Sequence, residues 1–158
     1  MITTIRRFYR RMFCSRAKAA FLELFERHAK LNRAIVFEEV SPLAGILTTY
    51  LWQEFPENGR LIIQQADLKK KTRRTIVERD LPKTEVADVL RFIEETGGAG
   101  LGNFSGKVID GVFYNVWWGD LSRLFHLNIK NPQFGSERHQ QFISMLKMRA
   151  GESNAGEF

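Results

Sequence analysis

The chain has 158 residues and a mass of 18.3 kDa, and it is 44% hydrophobic and 12% aromatic, a composition suited to one folded domain and unlike that of a disordered chain. The longest apolar candidate, LAGILTTYLW at residues 43–52, falls short of the ~18 residues of a membrane helix. The net charge is +6, and its origin is local: residues 1–18 carry six cations and no acid, whereas the rest holds 18 basic and 18 acidic side chains.

Nothing at the N-terminus has the apolar core of a secretory signal, which needs at least ~7 residues. Cys14 is the only cysteine, so no internal disulfide can form and a reducing, cytoplasmic location is expected. Residues 2–31 place Ile2, Ile5, Phe8, Tyr9, Met12, Phe13, Phe21, Leu24, Phe25 and His28 at helical spacing. Arginines fall between them, which predicts a basic amphipathic helix or arm, broken near Cys14-Ser15. Such a helix packs its stripe on the fold, binds phosphate, lies on a membrane surface, or acts as an organellar presequence.

IVFEEV at residues 35–40 reads as a strand. Ser41-Pro42 then reads as a helix start, with Leu43, Ile46, Leu47, Tyr50 and Leu51 as the inward stripe and Phe55-Pro56 as its end. Asn58-Gly59 leads into a hairpin over 60–80, whose tip carries Lys69, Lys70, Lys71, Arg73 and Arg74. Thr84 is placed to cap a helix over 85–96 that Gly97 ends. Ser136 is placed to cap a last helix over 137–150, before a polar tail at 151–158.

Between these helices, Phe104 to Ile129 reads as a three-stranded antiparallel meander turned at Asp110-Gly111 and Gly119-Asp120. Two-residue loops set Trp118 opposite Leu121, Tyr114 opposite Phe125 and His126 opposite Phe113. Alternation then gives a nearly continuous apolar face A of Ile109, Val112, Tyr114, Val116, Trp118, Leu121, Arg123, Phe125 and Leu127, which is predicted core. Face B holds Phe104, Val108, Phe113, Asn115, Trp117, Leu124, His126 and Asn128. The expected fold is α+β: residues 1–150 as a single domain, an antiparallel sheet built from the units 60–80 and 104–129, and helices packed on one face.

Chemical signatures are sparse. GGAGLG at 97–102 lacks the strand-before, helix-after setting of a phosphate loop and reads as a connector. His28, His126 and His139 have no ligand at metal-binding spacing, so neither a metal nor a cofactor is expected. No nucleophile and base pair is spelled out.

The favoured expectation is a non-catalytic protein-interaction module for an acidic partner, with Phe113, Asn115, Trp117, Leu124, His126 and Asn128 as contact residues. Small bacterial inhibitors and immunity proteins are of this size and class, an analogy without a shared motif. The alternative is RNA or DNA binding through Arg6, Arg7, Arg10 and Arg11 of the arm and Lys69, Lys70, Lys71, Arg73 and Arg74 of the tip. A small enzyme using His126 comes third. Homo-oligomerisation is compatible with all three.

Overall fold

Short runs of aromatic and β-branched residues recur along the chain from Arg33 to Leu81, and in the computed structural model this whole stretch folds as a four-stranded meander. Residues 18–98, 100–106, 111–132 and 135–151 are described. The strands are β1 (Arg33–Ser41), β2 (Ile46–Glu54), β3 (Gly59–Asp67) and β4 (Thr72–Leu81). Helix α1 (residues 18–27) precedes them. After β4 come α2 (Lys83–Phe92), a wider π-type turn over Ile93–Gly98, β5 (Phe104–Ser105), β6 (Phe113–Gly119), β7 (Leu124–Lys130) and α3 (Glu137–Arg149).

All seven strands form one sheet in the order β4-β3-β2-β1-β6-β7-β5, antiparallel except where β5 joins β7. The fold is therefore α+β, built on an antiparallel sheet. Face A carries the main core: Ile35, Phe37, Tyr50, Trp52, Val116, Trp118, Leu127 and Ile129 pack against Val86, Val89 and Leu90 of α2 and Phe142, Ile143 and Leu146 of α3. Ser136 caps α3 by accepting from the His139 backbone N–H. The buried His139 ring is held by the Ser136 hydroxyl and, through Nε2, donates to the Gly102 carbonyl at 2.9 Å. That bond ties the glycine-rich connector to α3.

Four expectations are corrected. The helix expected from Ser41-Pro42 is strand β2. As an interior strand it buries side chains on both faces, so its apolar positions lose the alternation that marks a strand. The turn before it, Ser41 to Gly45, uses Gly45 at φ +67°, where Cβ-bearing residues are strained.

The meander is the second correction. β6 pairs on one side with β1, so Phe104–Ser105 runs parallel to the far edge of β7 and does not pair with β6. Ile109 and the Asp110 half of the expected turn lie outside the described residues. The third correction concerns the β6–β7 register. Asp120 does not form a two-residue loop. Its Oδ1 accepts from the Ser122 N–H and hydroxyl and from the Arg123 N–H at 2.7–2.8 Å, which builds a four-residue turn. Those bonds, the Ser122 hydroxyl foremost, hold the Asp120 carboxyl below its ordinary range.

Trp118 consequently faces Phe125, Tyr114 faces Ile129, and His126 faces Trp117 where Phe113 was expected. The slip is by an even number of residues, so the side chains of β6 and β7 keep their faces. Phe104, expected on face B, instead lies beside Ile129 and against His139 on face A, and Leu121, expected in the core, is 66% exposed in the turn. In α2, the first helical residue is Lys83 and no side chain caps the N-terminus, so Thr84 lies inside the helix and is not its cap.

Candidate functional site

Face B divides into two halves. Toward the β6–β7 turn, α1 lies on the sheet: Phe21 and Phe25 join Leu31, Ala34, Val36 and Trp117 in a second, smaller core, with Leu24, Leu51, Phe55 and Leu124 at its margin. The helical spacing of Phe21, Leu24 and Phe25 supplies this contact. Trp117 and Leu124 are thus packed beneath a helix. Arg6, Arg7, Arg10 and Arg11 lie outside the described residues.

One row further along the strands, face B turns polar. Thr75, Gln64, Thr49, Glu38, Asn115 and Asn128 are successive cross-strand neighbours, one from each of β4, β3, β2, β1, β6 and β7. Gln64 Nε2 donates to Thr75 Oγ1 at 3.4 Å, and Asn128 Nδ2 donates to Asn115 Oδ1 at 2.7 Å. His126 Nε2 lies 3.3 Å from the same Asn115 oxygen, and its ring stacks on Trp117 with centroids 3.9 Å apart. The Asn128 backbone N–H donates to Asn103 Oδ1 at 2.8 Å.

Glu38 is bonded to the Asn115 side chain. Burial pushes its carboxyl up from the ordinary range, against the opposing pull of that bond and of the Arg73 charge. Asn115 and Asn128 are only 3% and 7% exposed, Phe113, Glu38 and His126 are half-buried, and Lys130 reaches over the Phe113 ring. The expected contact residues on face B therefore come together, but as a hydrogen-bonded band and a covered tryptophan. The Asn115 amide contacts both His126 and Glu38. The next residue on β1, Glu39, points to the other face, where it pairs with Lys147 of α3. Sequence reasoning missed Glu38, although a carboxylate within IVFEEV, in a strand destined for the middle of a sheet, is a signal in itself.

The exposed chemistry gathers at the sheet end where the β1–β2 and β3–β4 turns meet. The Leu68 N–H donates to the Gly45 carbonyl at 2.7 Å, and Lys69 Nζ donates to the Leu43 carbonyl at 3.0 Å. Within the second turn, Asp67 Oδ1 accepts from the backbone N–H groups of Lys69 and Lys70 at 3.0 and 2.9 Å. These bonds, that of Lys70 first, hold the Asp67 carboxyl below its ordinary range. Two hairpin turns are thereby joined into one tip. It presents Leu43, 70% exposed, and Leu68, 41% exposed, with Lys69, Lys70, Lys71 and Arg73 around them.

No protein-family model, curated protein or solved structure matches this chain. Among the described residues, no group of three His, Cys, Asp or Glu side chains is arranged to hold a metal ion. No helix among them is long and apolar enough to cross a membrane.

Proposed function

We propose that the protein is a non-catalytic interaction module that binds an acidic protein partner through the joined tip of its two N-terminal hairpins. The observation that carries this reading is the pair of exposed leucines held by four main-chain and side-chain bonds in one tip that also carries a run of cations. Apolar anchors with a charged rim are the ordinary anatomy of a protein interface. A tip already fixed by its own hydrogen bonds loses little freedom on binding, which favours affinity. A small inhibitor of the immunity type, neutralising one acidic target, is the kind of protein this describes. The same cations also suit nucleic-acid phosphates, but base-stacking aromatics are expected at a single-strand platform, and the tip is centred on leucines.

The test is affinity capture from the native source with wild-type protein and with the Leu43→Asp/Leu68→Asp variant. Both positions are exposed, so circular dichroism and melting temperature are expected to match those of the wild type. A stoichiometric acidic protein retained by the wild type and lost by the variant is the expected result. Equal retention by both would move the contact away from the tip, and no retained protein would remove the reading. A gel shift with RNA and DNA at low and moderate salt separates the nucleic-acid alternative, whose binding weakens steeply with salt.

A further inference from the structure

Strand β4 ends the sheet, and of its ten residues only Val77 is half-buried and only Leu81 buried. Neither α1 nor the α2–α3 layer covers the rest, so the strand is held by its ladder to β3. Among the described residues its outer edge pairs with no other strand. Such edges template pairing with another chain, and proteins usually blunt them with charge. Here the charges stand at the two ends. Arg73 and Arg74 precede the uncharged, β-branched centre Thr75-Ile76-Val77, and Glu78, Arg79 and Asp80 follow it. Ile76 is 49% exposed.

A bulge interrupts the β3–β4 register between Ile63 and Gln64, leaving Ile76 as the extra residue. It changes which side chains share a face. Arg73, Thr75, Glu78 and Asp80 sit opposite Ala66, Gln64, Ile62 and Arg60, on face B. Thr72, Arg74, Val77 and Arg79 lie on face A. A two-fold axis perpendicular to the sheet, passing through the bulge, would set an antiparallel copy of β4 against this one. Arg73 then faces Asp80 of the copy, and Thr75 faces Glu78, with same-face residues always opposed. In a strand without the bulge, this register would oppose residues from different faces.

The one like-charge pair, Arg74 against Arg79, opposes this register, and each of its guanidinium groups has a contact at home. Arg74 donates to Gln65 Oε1 at 3.1 Å. Arg79 lies against Gly151, just beyond the C-terminus of α3, where a cation is favoured. Arg73 and Glu78 have no hydrogen bond or ion pair among the described residues.

We propose that β4 is a self-complementary edge through which two copies of this chain pair in antiparallel fashion, joining their sheets into one. Isologous pairing of this kind needs a strand whose charge reverses about its centre, and β4 has that pattern. This inference does not rest on the tip's partner: the tip leucines lie outside the strand, although Arg73 belongs to both surfaces.

The test is sedimentation equilibrium of the full chain at low and high salt. The expected result is a species of twice the 18.3 kDa chain mass that weakens as salt rises. Ile76→Lys brings two ammonium groups together at the axis and is expected to give the monomer. Arg73→Asp and Asp80→Arg are each expected to weaken the dimer at least about tenfold, and the doubly substituted chain to recover it, as opposite charges are restored. Far-UV circular dichroism checks that these edge variants stay folded. A wild-type monomer up to about 200 μM at low salt would overturn the proposal. So would a dimer that survives Ile76→Lys, or a double variant that fails to recover.

Discussion

Gln53 is 0% exposed, lies beside Ala34 of the smaller core, and has no hydrogen-bond partner among the described residues for either its Nε2 or its Oε1. The indole N–H of Trp117, also on face B, likewise has no hydrogen-bond partner among the described residues. A buried polar group without a hydrogen bond costs about 1–3 kcal/mol, and an apolar side chain of similar shape escapes that cost. Gln53→Met is therefore expected to stabilise the protein by about 1–2 kcal/mol, read as a higher urea midpoint with an unchanged slope. A lower midpoint would show that the amide is paired in solution.

Glu38 carries the opposite kind of tension, a charge held where charge is disfavoured. Its folded-state affinity for a proton is raised by burial. Its contribution to stability is thus complete below the ordinary carboxyl value of 4.5 and is lost as pH rises through the higher folded value. Glu38→Gln removes this titration and keeps a group that can bond to Asn115. The wild type is expected to lose stability relative to Glu38→Gln as pH rises above the ordinary carboxyl value of 4.5, as measured by urea unfolding across a pH series. A constant difference between the two would show that Glu38 keeps its ionised form at no cost.

At the scale of elements, strand β1, the β3–β4 hairpin, α2 and the serine-capped α3 were legible because each carries a local signal: a β-forming run, the Asn58-Gly59 pair that opens β3, or a helical stripe. Strand β2 was not, because Ile46, Leu47, Tyr50 and Leu51 satisfy the helical period as well as a strand buried on both sides. Its Thr48-Thr49-Tyr50 and Trp52 were the β-forming clue that competed with Pro42. The β6–β7 pairing shows what turn chemistry decides. Glycine at 119, with φ +133° and no room for a Cβ beside the Arg123 carbonyl, was readable as a turn. The grip of Asp120 on two backbone N–H groups lengthened that turn and moved every partner along β7. Within β6 and β7 the faces survived because the shift was even, but the His126–Phe113 pairing, the place of Phe104 on face B and the burial of Leu121 did not.

For the whole molecule, the sequence marked face A as core and face B as ambiguous. The structure divides that ambiguity in two: apolar under α1, polar beyond it. The band from Thr75 to Asn128 was invisible beforehand because it draws one residue from each of six strands, and no window of sequence contains more than a fragment of it. The tip was half legible. Its lysine run was evident, but its exposed Leu43 had been assigned to a helix.

The strand order also orders the events of folding. β1 to β4 form a meander of neighbours in sequence, and β6 and β7 form a hairpin of their own. The two meet only along β1 and β6, where Val40 pairs with Phe113 across a long intervening chain. Local hairpins close quickly, and this distant seam waits for the larger loss of chain entropy. Val116→Ala, on the β6 side of the seam, is expected to speed unfolding and leave the folding rate nearly unchanged. Ile63→Ala, inside the meander, is expected to slow folding. Stopped-flow kinetics across a urea series would read both, and a folding rate slowed equally by Val116→Ala would mean the seam forms early. Until that seam closes, β1 is itself an unpaired edge, so the strand that ends in the centre of the sheet is the one the nascent chain must shield longest.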